Sequence, residues 1–362
     1  MGPKKAEPTK RWLSLIARSS SSKWHVKVAF SGTLCSGELK NLCLCIDFRQ
    51  LPLLKNTATE LRITHDAKAE SYELPLLALP DAESGFAPRA RSLRARTRED
   101  LKRVRFPLYR PDGGSPAAEA LSNIFEIEQV EAAVYKVRVG NDESLYIYKE
   151  IERIIYIPSD SDVMEQELRN LQLFRGTEGI ARLVAAVVSE NPYQTTTGQD
   201  STTVLRGVLM EYYPNGTLEH ALQSPRPQMD GRWLVWGLQI AKALASLHEK
   251  GVTHMDLKPS NVVISAEWSA VVIDISGIGG WTHEWQSPKL RLKEANPLLE
   301  SFETRKQNDI WALGRILFAI ARASKNVVDK QLLESVAWDA IQIPLCISLN
   351  DVIRRLSRVV SE

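Results

Sequence analysis

Cysteine and long apolar runs are both scarce in this 362-residue sequence. The four cysteines are Cys35, Cys43, Cys45 and Cys346, which form no Cys-x-x-Cys pair and have no histidine ligands nearby. We therefore expect neither a disulfide framework nor a zinc site. No apolar run reaches the length of a transmembrane helix, and none resembles the apolar core of a signal peptide. These absences predict an intracellular, cytoplasmic protein without a membrane segment.

A strong excess of charge of one sign is missing as well. The sequence has 46 Lys and Arg residues against 44 Asp and Glu, which gives a formal net charge of +2. Such a chain has no global field that would draw it to nucleic acid, and we do not expect a nucleic-acid partner. Hydrophobic residues make up 44% of the sequence, which is typical of a globular protein that buries a full core. The length allows one large domain or two moderate ones.

The first 80 residues separate into a basic arm and a β-rich region. Residues 1–22 contain several lysines and arginines followed by a run of serines, and they predict a flexible N-terminal arm, with a transit peptide as the alternative. Residues 23–80 contain short runs in which apolar residues alternate, which predicts a small β-rich accessory region. Cys43 and Cys45 alternate in one such run and are expected on one side of a strand.

Residues 81–120 have a different composition, with many arginines flanked by proline and glycine. This composition predicts a basic linker between domains. The arginine-rich part, residues 89–105, could bind an acidic partner or act as a nuclear address. A solvated linker without a partner is the alternative that we favour from sequence alone.

From about residue 121 the pattern predicts strands first and helices later. Alternating runs at 124–139 and 144–157 predict strands, and helical spacing follows at about 161–174. Two more strands, at 180–189 and 203–213, flank a polar excursion over 191–201 that we interpret as an enlarged hairpin loop. Helical periodicity dominates beyond residue 230, and the last helix, about 349–360, has Ser348 or Asn350 as its candidate cap.

The most informative segment covers residues 254–261, which read His-Met-Asp-Leu-Lys-Pro-Ser-Asn. This spacing suits phosphoryl transfer, because Asp256 can accept the proton of an attacking hydroxyl and Lys258 can neutralise the moving phosphoryl group. Asn261 can hold a magnesium ion. The segment resembles the catalytic loop of eukaryotic protein kinases, His-Arg-Asp-Leu-x-x-x-x-Asn, and within that family it resembles the Ser/Thr branch.

Three further residues match the nucleotide-binding motifs of the kinase family. Lys149 ends the strand Tyr-Ile-Tyr-Lys and resembles the lysine that grips the α- and β-phosphates. Glu167, on the helix that follows, resembles the glutamate that pairs with this lysine, and the apolar stripe of the helix favours it over Glu165. Asp274 begins Asp-Ile-Ser-Gly and resembles the metal-chelating aspartate of Asp-Phe-Gly.

Two more segments resemble structural parts of kinases. Residues 210–218 are similar to the hinge between the two lobes, which implies that Met210 is the gatekeeper and that Glu211 and Tyr213 present backbone groups to adenine. Asp309 resembles the aspartate that braces the catalytic loop, in which His254 gives structural support. The resemblance implies an α+β, two-lobed protein kinase-like fold over residues 121–362, with a small lobe at 121–213 and a large lobe at 214–362.

The sequence also departs from the family pattern. Residues 127–133 stand where kinases carry a glycine-rich loop, yet they contain no glycine and include Glu128 and Glu131. Glycines at this place let backbone N–H groups approach the phosphates. Ser276 replaces a glycine, which should restrict the backbone there. Lys289 stands where kinases carry the glutamate of Ala-Pro-Glu, which implies that a buried ion pair is reversed or lost.

The resemblance implies ATP- and Mg²⁺-dependent transfer of phosphoryl groups to serine or threonine hydroxyls of protein substrates. The missing glycines keep a second hypothesis open, a weakly active or inactive pseudokinase that acts as a scaffold. The short segment between Asp274 and Pro288 keeps a third open, a kinase-fold phosphotransferase that acts on a small molecule.

Overall fold

A computed structural model of the chain describes residues 10–19, 21–31, 36–65, 71–77, 93–111, 114–151, 155–196, 202–292, 296–342 and 347–360. The chain divides into two compact units. The accessory unit comprises Met1–Arg110 together with Ile154–Pro158 and Ser189–Leu205, and the larger unit comprises Pro111–Arg153, Ser159–Val188 and Arg206–Glu362.

The accessory unit is a five-stranded sheet with a helix on one face. Its elements are β1 (Lys10–Arg18), β2 (Lys23–Ser31), α1 (Ser36–Cys45), β3 (Ala58–Thr64), β4 (Tyr72–Glu73) and β5 (Arg94–Glu99). The spatial order is β1-β2-β3-β5-β4, in which only the β2–β3 pair is parallel among the described strands. The helix α1 makes the crossover that such a parallel pair requires. The core between helix and sheet includes Val28, Phe30, Leu42, Leu61 and Ile63.

Part of the sheet was assigned wrongly from the sequence. Lys10–Arg18 were predicted as a flexible arm, but they form β1, which pairs antiparallel with β2. Arg94–Glu99 were predicted as part of a linker, but they form β5, paired with β3. In β1 both faces carry apolar residues, and in β5 the core-facing residues are Ala95 and Thr97, so the alternation of apolar and polar residues that marks a strand is weak. Residues 1–9, Arg89 and Arg91 lie outside the described residues.

The strand predicted around Cys43 and Cys45 is also wrong, because these residues end the helix α1. The buried positions Leu39, Leu42, Cys43 and Ile46 are spaced three, four and seven residues apart, which is the period of a helix. Alternate apolar residues within this short run gave it the appearance of a strand. Burial raises the pKa of the Cys43 thiol to about 11, as expected for a cysteine that serves as a core residue.

The predicted hairpin loop at 191–201 contributes its described part to the accessory unit. The Thr195 carbonyl accepts a hydrogen bond from the Lys23 N–H at 2.8 Å, and the Asn191 side chain donates to the carbonyl of Asn56 at 2.9 Å. Tyr193 packs edge-on against His25 and stacks on Phe106. Residues 197–201 lie outside the described residues.

The larger unit begins with a six-stranded sheet in the order β6-β10-β11-β9-β8-β7. These strands are β6 (Ala118–Ala120), β7 (Ile124–Glu131), β8 (Val134–Val139), β9 (Tyr146–Glu150), β10 (Leu183–Glu190) and β11 (Thr203–Glu211). The helix α2 (Ser159–Leu173) lies between β9 and β10 in the chain. The predictions of strands in these regions and of a helix near 161–174 are confirmed.

The rest of the larger unit is mainly helical. Its helices are α3 (Leu218–Gln223), α4 (Trp233–Glu249), α5 (Pro288–Arg291), α6 (Phe302–Ala323), α7 (Val327–Gln342) and α8 (Leu349–Val360), and a short hairpin pairs β12 (Val262–Ile264) with β13 (Ala270–Val272). A Cβ on Gly314 would come within 2.9 Å of Ala340 Cβ, so this glycine lets α6 and α7 pack closely. Ser348 Oγ accepts from the Asp351 N–H at 3.1 Å, which confirms Ser348 as the cap of the last helix.

This α+β order, a sheet with one helix followed by a helical half, matches the predicted two-lobed fold. None of the helices in the described part of the chain is long and apolar enough to span a membrane.

Candidate active site

A cleft of 590 Å³ lies within the larger unit, between its six-stranded sheet and its helical half. This volume falls within the range of small-molecule sites. The cleft brings together most of the residues singled out in the sequence. Those that line it are Lys149, Met210, Glu211, Tyr213, His254, Asp256, Lys258, Asn261 and Asp274.

Lys149 forms an ion pair with two carboxylates inside this cleft. Its Nζ lies 2.7 Å from Glu167 Oε2 and 2.6 Å from Asp274 Oδ1. The strand β9 supplies the lysine, and α2 supplies Glu167, which is only 1% exposed. Burial alone would lower the pKa of Lys149, but the two carboxylates outweigh it and raise that pKa. The structure therefore pairs Glu167, and not Glu165, with the lysine.

The backbone around Asp274 is held by the helix α2. Asp274 has a φ of +59°, a conformation that costs energy for any residue other than glycine. Asn170 on α2 donates through Nδ2 to the carbonyl of Ile275 at 2.6 Å and to that of Ser276 at 3.2 Å. Ser276 Oγ in turn accepts from the Gly279 N–H at 2.9 Å. Nothing in the sequence motifs pointed to Asn170, because its role depends on two backbone carbonyls.

Asp309, on the helix α6, binds the backbone of the candidate catalytic loop. Its carboxylate is fully buried and accepts hydrogen bonds from the backbone N–H groups of His254 and Met255 at 2.8 and 2.9 Å. The His248 ring lies at 2.9 Å from the same carboxylate. His254 Nε2 donates to the carbonyl of Ile273 at 2.9 Å, which links the loop to the segment that leads into Asp274. Through these contacts Asp309 and His254 would give the loop the structural support that the sequence predicts.

Asp256 lies at the centre of a compact polar network. Its Oδ2 accepts from Lys258 Nζ at 2.8 Å, and its backbone carbonyl accepts from Asn261 Nδ2 at 2.9 Å. Thr282 completes the network, because its N–H donates to Asp256 Oδ1 at 2.7 Å and its Oγ1 accepts from Lys258 at 2.9 Å. Thr282 was not identified from the sequence. The one signal that could have indicated it is its position in the segment between Asp274 and Pro288.

The candidate hinge follows directly from β11. Met210 is buried and pairs with Ile147 on β9, and Glu211 is the last residue of the strand. The hydroxyl of Tyr213 accepts from the Arg182 N–H at 3.0 Å. Within the described chain no hydrogen bond engages the backbone N–H of Tyr213, so this donor is available to a ligand in the cleft.

Comparison with known proteins decides the family. A model of the protein kinase domain matches residues 130–344, which is more than half of the chain. The chain belongs to the protein kinase family. Its relatives include mitogen-activated protein kinase kinase kinase 17 of Arabidopsis thaliana, 32% identical over 124 residues, or 33% of each chain. A probable protein kinase of Dictyostelium discoideum is 26% identical over 197 residues, or 52% of each chain.

Human serine/threonine-protein kinase 16 is 23% identical over 135 residues, which are 31% of this chain and 44% of that protein. The matches thus span a third to about half of the length of these relatives. The kinase match includes the cleft from Val130 onward and every catalytic candidate above. Protein kinases are phosphotransferases that use ATP and a divalent metal ion.

The base of the cleft suits the binding of a magnesium ion. Asp274 and Asn261 offer side-chain oxygens, which are the ligands that magnesium prefers. The Oδ1 of Asn261 and the Oδ2 of Asp274 accept no hydrogen bond from any described residue. Burial would raise the pKa of Asp274, but Lys149 outweighs it and holds the pKa of this carboxyl below its usual range, so the metal-binding form persists.

The roof of the cleft fits phosphates less well. It is formed by β7 and β8, whose tight turn places Ala133 at a φ of +61°. Glu128 and Glu131 line the cleft from this roof, and Glu128 pairs with Lys136 at 2.8 Å. Lys136 also lies over the ring of Tyr212 in the candidate hinge, with 5.3 Å between Nζ and the ring centroid. The roof therefore brings carboxylates to the cleft where glycines would leave room for phosphates.

The segment that follows Asp274 is anchored by arginine and tryptophan. Arg315 on α6 lies 4.9 Å from the Trp285 ring centroid, and its Nη1 donates to the carbonyl of Glu284. Arg291 Nε donates to the carbonyl of Gln286 at 2.7 Å. Lys289, expected to break an ion pair, makes no ion pair with any described residue. These arginine contacts hold the segment in its place.

Proposed function

We propose that this kinase transfers the γ-phosphoryl group of ATP, with Mg²⁺, to serine or threonine hydroxyls of protein substrates. The observation that carries the proposal is the double ion pair of Lys149 with Glu167 and Asp274, in the same cleft as Asp256. This arrangement brings the phosphate-binding lysine and the metal-binding carboxylate within 2.6 Å of each other. Several relatives are named as serine/threonine kinases, which supports the choice of hydroxyl.

The side chains of this chain have separable tasks in that reaction. Asp256 accepts the proton of the attacking hydroxyl, and it is oriented for this by the Thr282 N–H and the Lys258 ammonium. Lys258 also stabilises negative charge as the phosphoryl group moves. Lys149 holds phosphate oxygens, and Asp274 and Asn261 would hold the metal. Bound Mg·ATP supplies the phosphoryl group and the positive charge that offsets its developing negative charge.

Transfer of ³²P from labelled ATP to a general protein substrate tests the proposal directly. We expect labelling on serine or threonine by the wild type, and its loss in Lys149→Met and Asp256→Asn. Glu303→Gln is a matched control, because Glu303 is an exposed carboxylate on α6, away from the cleft lining. Labelling that persists in Asp256→Asn would show that another group accepts the proton.

A second function, a scaffold of the pseudokinase type, is favoured by the roof of the cleft. Glu128 and Glu131 place negative charge where phosphates would lie. Thermal unfolding with and without Mg·ATP separates the two functions, since a ligand at a hundred times its Kd adds about 2.7 kcal/mol to the free energy of unfolding. No stabilisation at millimolar Mg·ATP would reject the kinase. ATP consumption without labelled protein would indicate a small-molecule substrate instead.

A further inference from the structure

The face of the accessory sheet opposite α1, which we call the open face, carries exposed side chains, among them Trp12, Arg62 and Arg98. Strand register aligns the side chains of this face in rows. Residues two apart in a strand share a face. The pairing of β1, β2, β3 and β5 therefore places two adjacent rows on this face. The first row is Trp12, Ala29, Arg62 and Arg96, and the second is Ser14, Lys27, Glu60 and Arg98. The core residues Val28, Leu61 and Ile63 have the opposite parity.

Three cations in these rows converge on one carboxylate. Glu60 Oε2 accepts from Arg62 Nε at 3.1 Å and from Arg98 Nε, while Lys27 Nζ lies 3.7 Å from Oε1. Burial would raise the pKa of Glu60, but the hydrogen bonds from Arg98 and Arg62 outweigh it and hold that pKa below its usual range. The basic side chains of this face thus already bind one carboxylate, and the same kind of contact could bind a carboxylate of a ligand.

Two arginines of this face, Arg62 and Arg98, retain unused hydrogen-bonding capacity. Arg62 and Arg98 are 47% and 49% exposed, and each uses only Nε towards Glu60. Their terminal Nη atoms have no hydrogen-bond partner among the described residues. Arg103 approaches the same face, with its Nη2 at 3.5 Å from Ser14 Oγ. A guanidinium group can bind a carboxylate through two parallel hydrogen bonds, so each free edge is a binding position.

An apolar position borders these arginines. Trp12 on the edge strand β1 is 62% exposed, and Ile16 on the same face is also exposed. Ala29 separates Trp12 from Arg62 in the first row, and its small side chain leaves space between the indole and the guanidinium. Lys27 Nζ lies 5.7 Å from the centroid of the Trp12 ring, which joins the apolar and the basic positions.

We propose that this open face binds an acidic, extended segment of a partner protein, with an apolar side chain on Trp12 and carboxylates on Arg62 and Arg98. Neighbouring strands are about 4.8 Å apart, so β1 and β3 are separated by about 10 Å and β1 and β5 by about 14 Å. Alternate side chains of an extended peptide repeat every ~7 Å. In a segment that crosses the strands, an apolar residue therefore lies over β1. Acidic residues two and four positions later then lie over β3 and β5.

The same face is a poorer match for single-stranded nucleic acid. Surfaces that bind such strands combine a positive groove with several aromatic side chains on which successive bases stack. Trp12 is the sole Trp, Tyr or Phe in the two rows defined above. Glu60 and Asp100 offset part of the positive charge, and the net charge of the whole chain is only +2. The ligand that we propose is therefore a peptide, and an oligonucleotide is tested as the alternative ligand.

Fluorescence anisotropy with a labelled Ser-Leu-Ser-Glu-Ser-Glu-Ser-Glu peptide tests this assignment on the 362-residue chain without nucleotide. We expect saturable binding that weakens as salt rises, and no binding of the peptide with lysine in place of glutamate. Arg62→Gln with Arg98→Gln should weaken binding at least about tenfold. Arg354→Gln, an exposed arginine on α8, is the matched control and should leave the affinity unchanged.

Two single variants test the same face while Arg62 and Arg98 stay in place. Trp12→Ala removes an exposed ring and should weaken binding several-fold. Glu60→Gln removes the internal competitor and should tighten binding, an effect that a purely structural ion cluster would not show. Failure of the wild type to bind the peptide at 50 mM salt overturns the proposal. Binding of an oligodeoxythymidine but not of the peptide would overturn it as well. Neither result bears on phosphoryl transfer, because the assay contains no ATP.

Discussion

The N–H of Thr282 donates to Oδ1 of Asp256 at 2.7 Å, while the hydroxyl of the same threonine accepts from Lys258. One residue of the segment after Asp274 therefore contacts both polar groups of the proposed transfer step. The backbone contact survives any substitution that preserves the fold, whereas the hydroxyl contact depends on the side chain. This difference allows the two contacts to be separated by mutation.

Thr282→Ala should lower kcat about tenfold, because it removes a hydrogen bond with a charged donor worth about 1.5–3 kcal/mol. Thr282→Ser keeps the hydroxyl and should retain most of the activity. The KM for ATP should change little, since Thr282 does not line the cleft. His283→Ala, at an exposed neighbouring position, is the control. Equal rates for the alanine variant and the wild type would exclude a role for the Lys258 contact.

The ion pair of Lys149 with Glu167 predicts a recoverable loss of stability. Lys149→Met removes the cation that pairs with the buried carboxylate of Glu167, which costs about 3–5 kcal/mol of the free energy of unfolding. Adding Glu167→Leu removes that charge and should restore most of the stability but not the binding of ATP. Thermal unfolding in the absence and presence of Mg·ATP measures both effects. A single variant as stable as the wild type would show that the buried carboxylate has another partner.

Asn170 predicts a coupling between the helix α2 and nucleotide binding. Asn170→Asp preserves the shape of the side chain but sets a carboxylate against the carbonyls of Ile275 and Ser276. Because the backbone that holds Asp274 loses this support, we expect the affinity for Mg·ATP to fall about tenfold or more. Calorimetric titration measures the affinity. The control variant Arg169→Ala, at an exposed position of the same helix, should leave the affinity unchanged. An unchanged affinity would show that Asp274 is positioned without Asn170.

The parts of the site that sequence could predict are those in which a residue type and its spacing carry the chemistry. Lys149, Glu167, Asp256 and Asp274 stand in a fixed order, and the structure brings all four together. Thr282 and Asn170 were missed because their partners include backbone groups, and backbone geometry leaves no mark on residue types. The contacts of Arg291 and Arg315 with backbone carbonyls escaped notice for the same reason.

The fold shows the same division. The helix α2 was predicted within about two residues of its ends because its apolar stripe faces a core. The strand β5 was missed because Arg94, Arg96 and Arg98 alternate with Ala95 and Thr97, so the side that faces the core carries little apolar signal. A strand whose open face is basic resembles a linker in composition. Its place in a sheet becomes evident through its pairing with β3 and β4.

The roof of the cleft gives the sharpest test of how tightly ATP is held. Glu131 lines the cleft and carries a negative charge, whereas Glu126 lies on the same strand outside the cleft lining. Glu131→Gln should tighten the Kd for Mg·ATP several-fold at low salt, because two like charges a few ångströms apart in water repel by about 1 kcal/mol. The gain should shrink at 1 M salt, where the screening length falls to about 3 Å. Glu126→Gln should leave the Kd unchanged. If both variants tighten binding equally, the effect is one of net charge, and the roof itself does not limit the affinity for ATP.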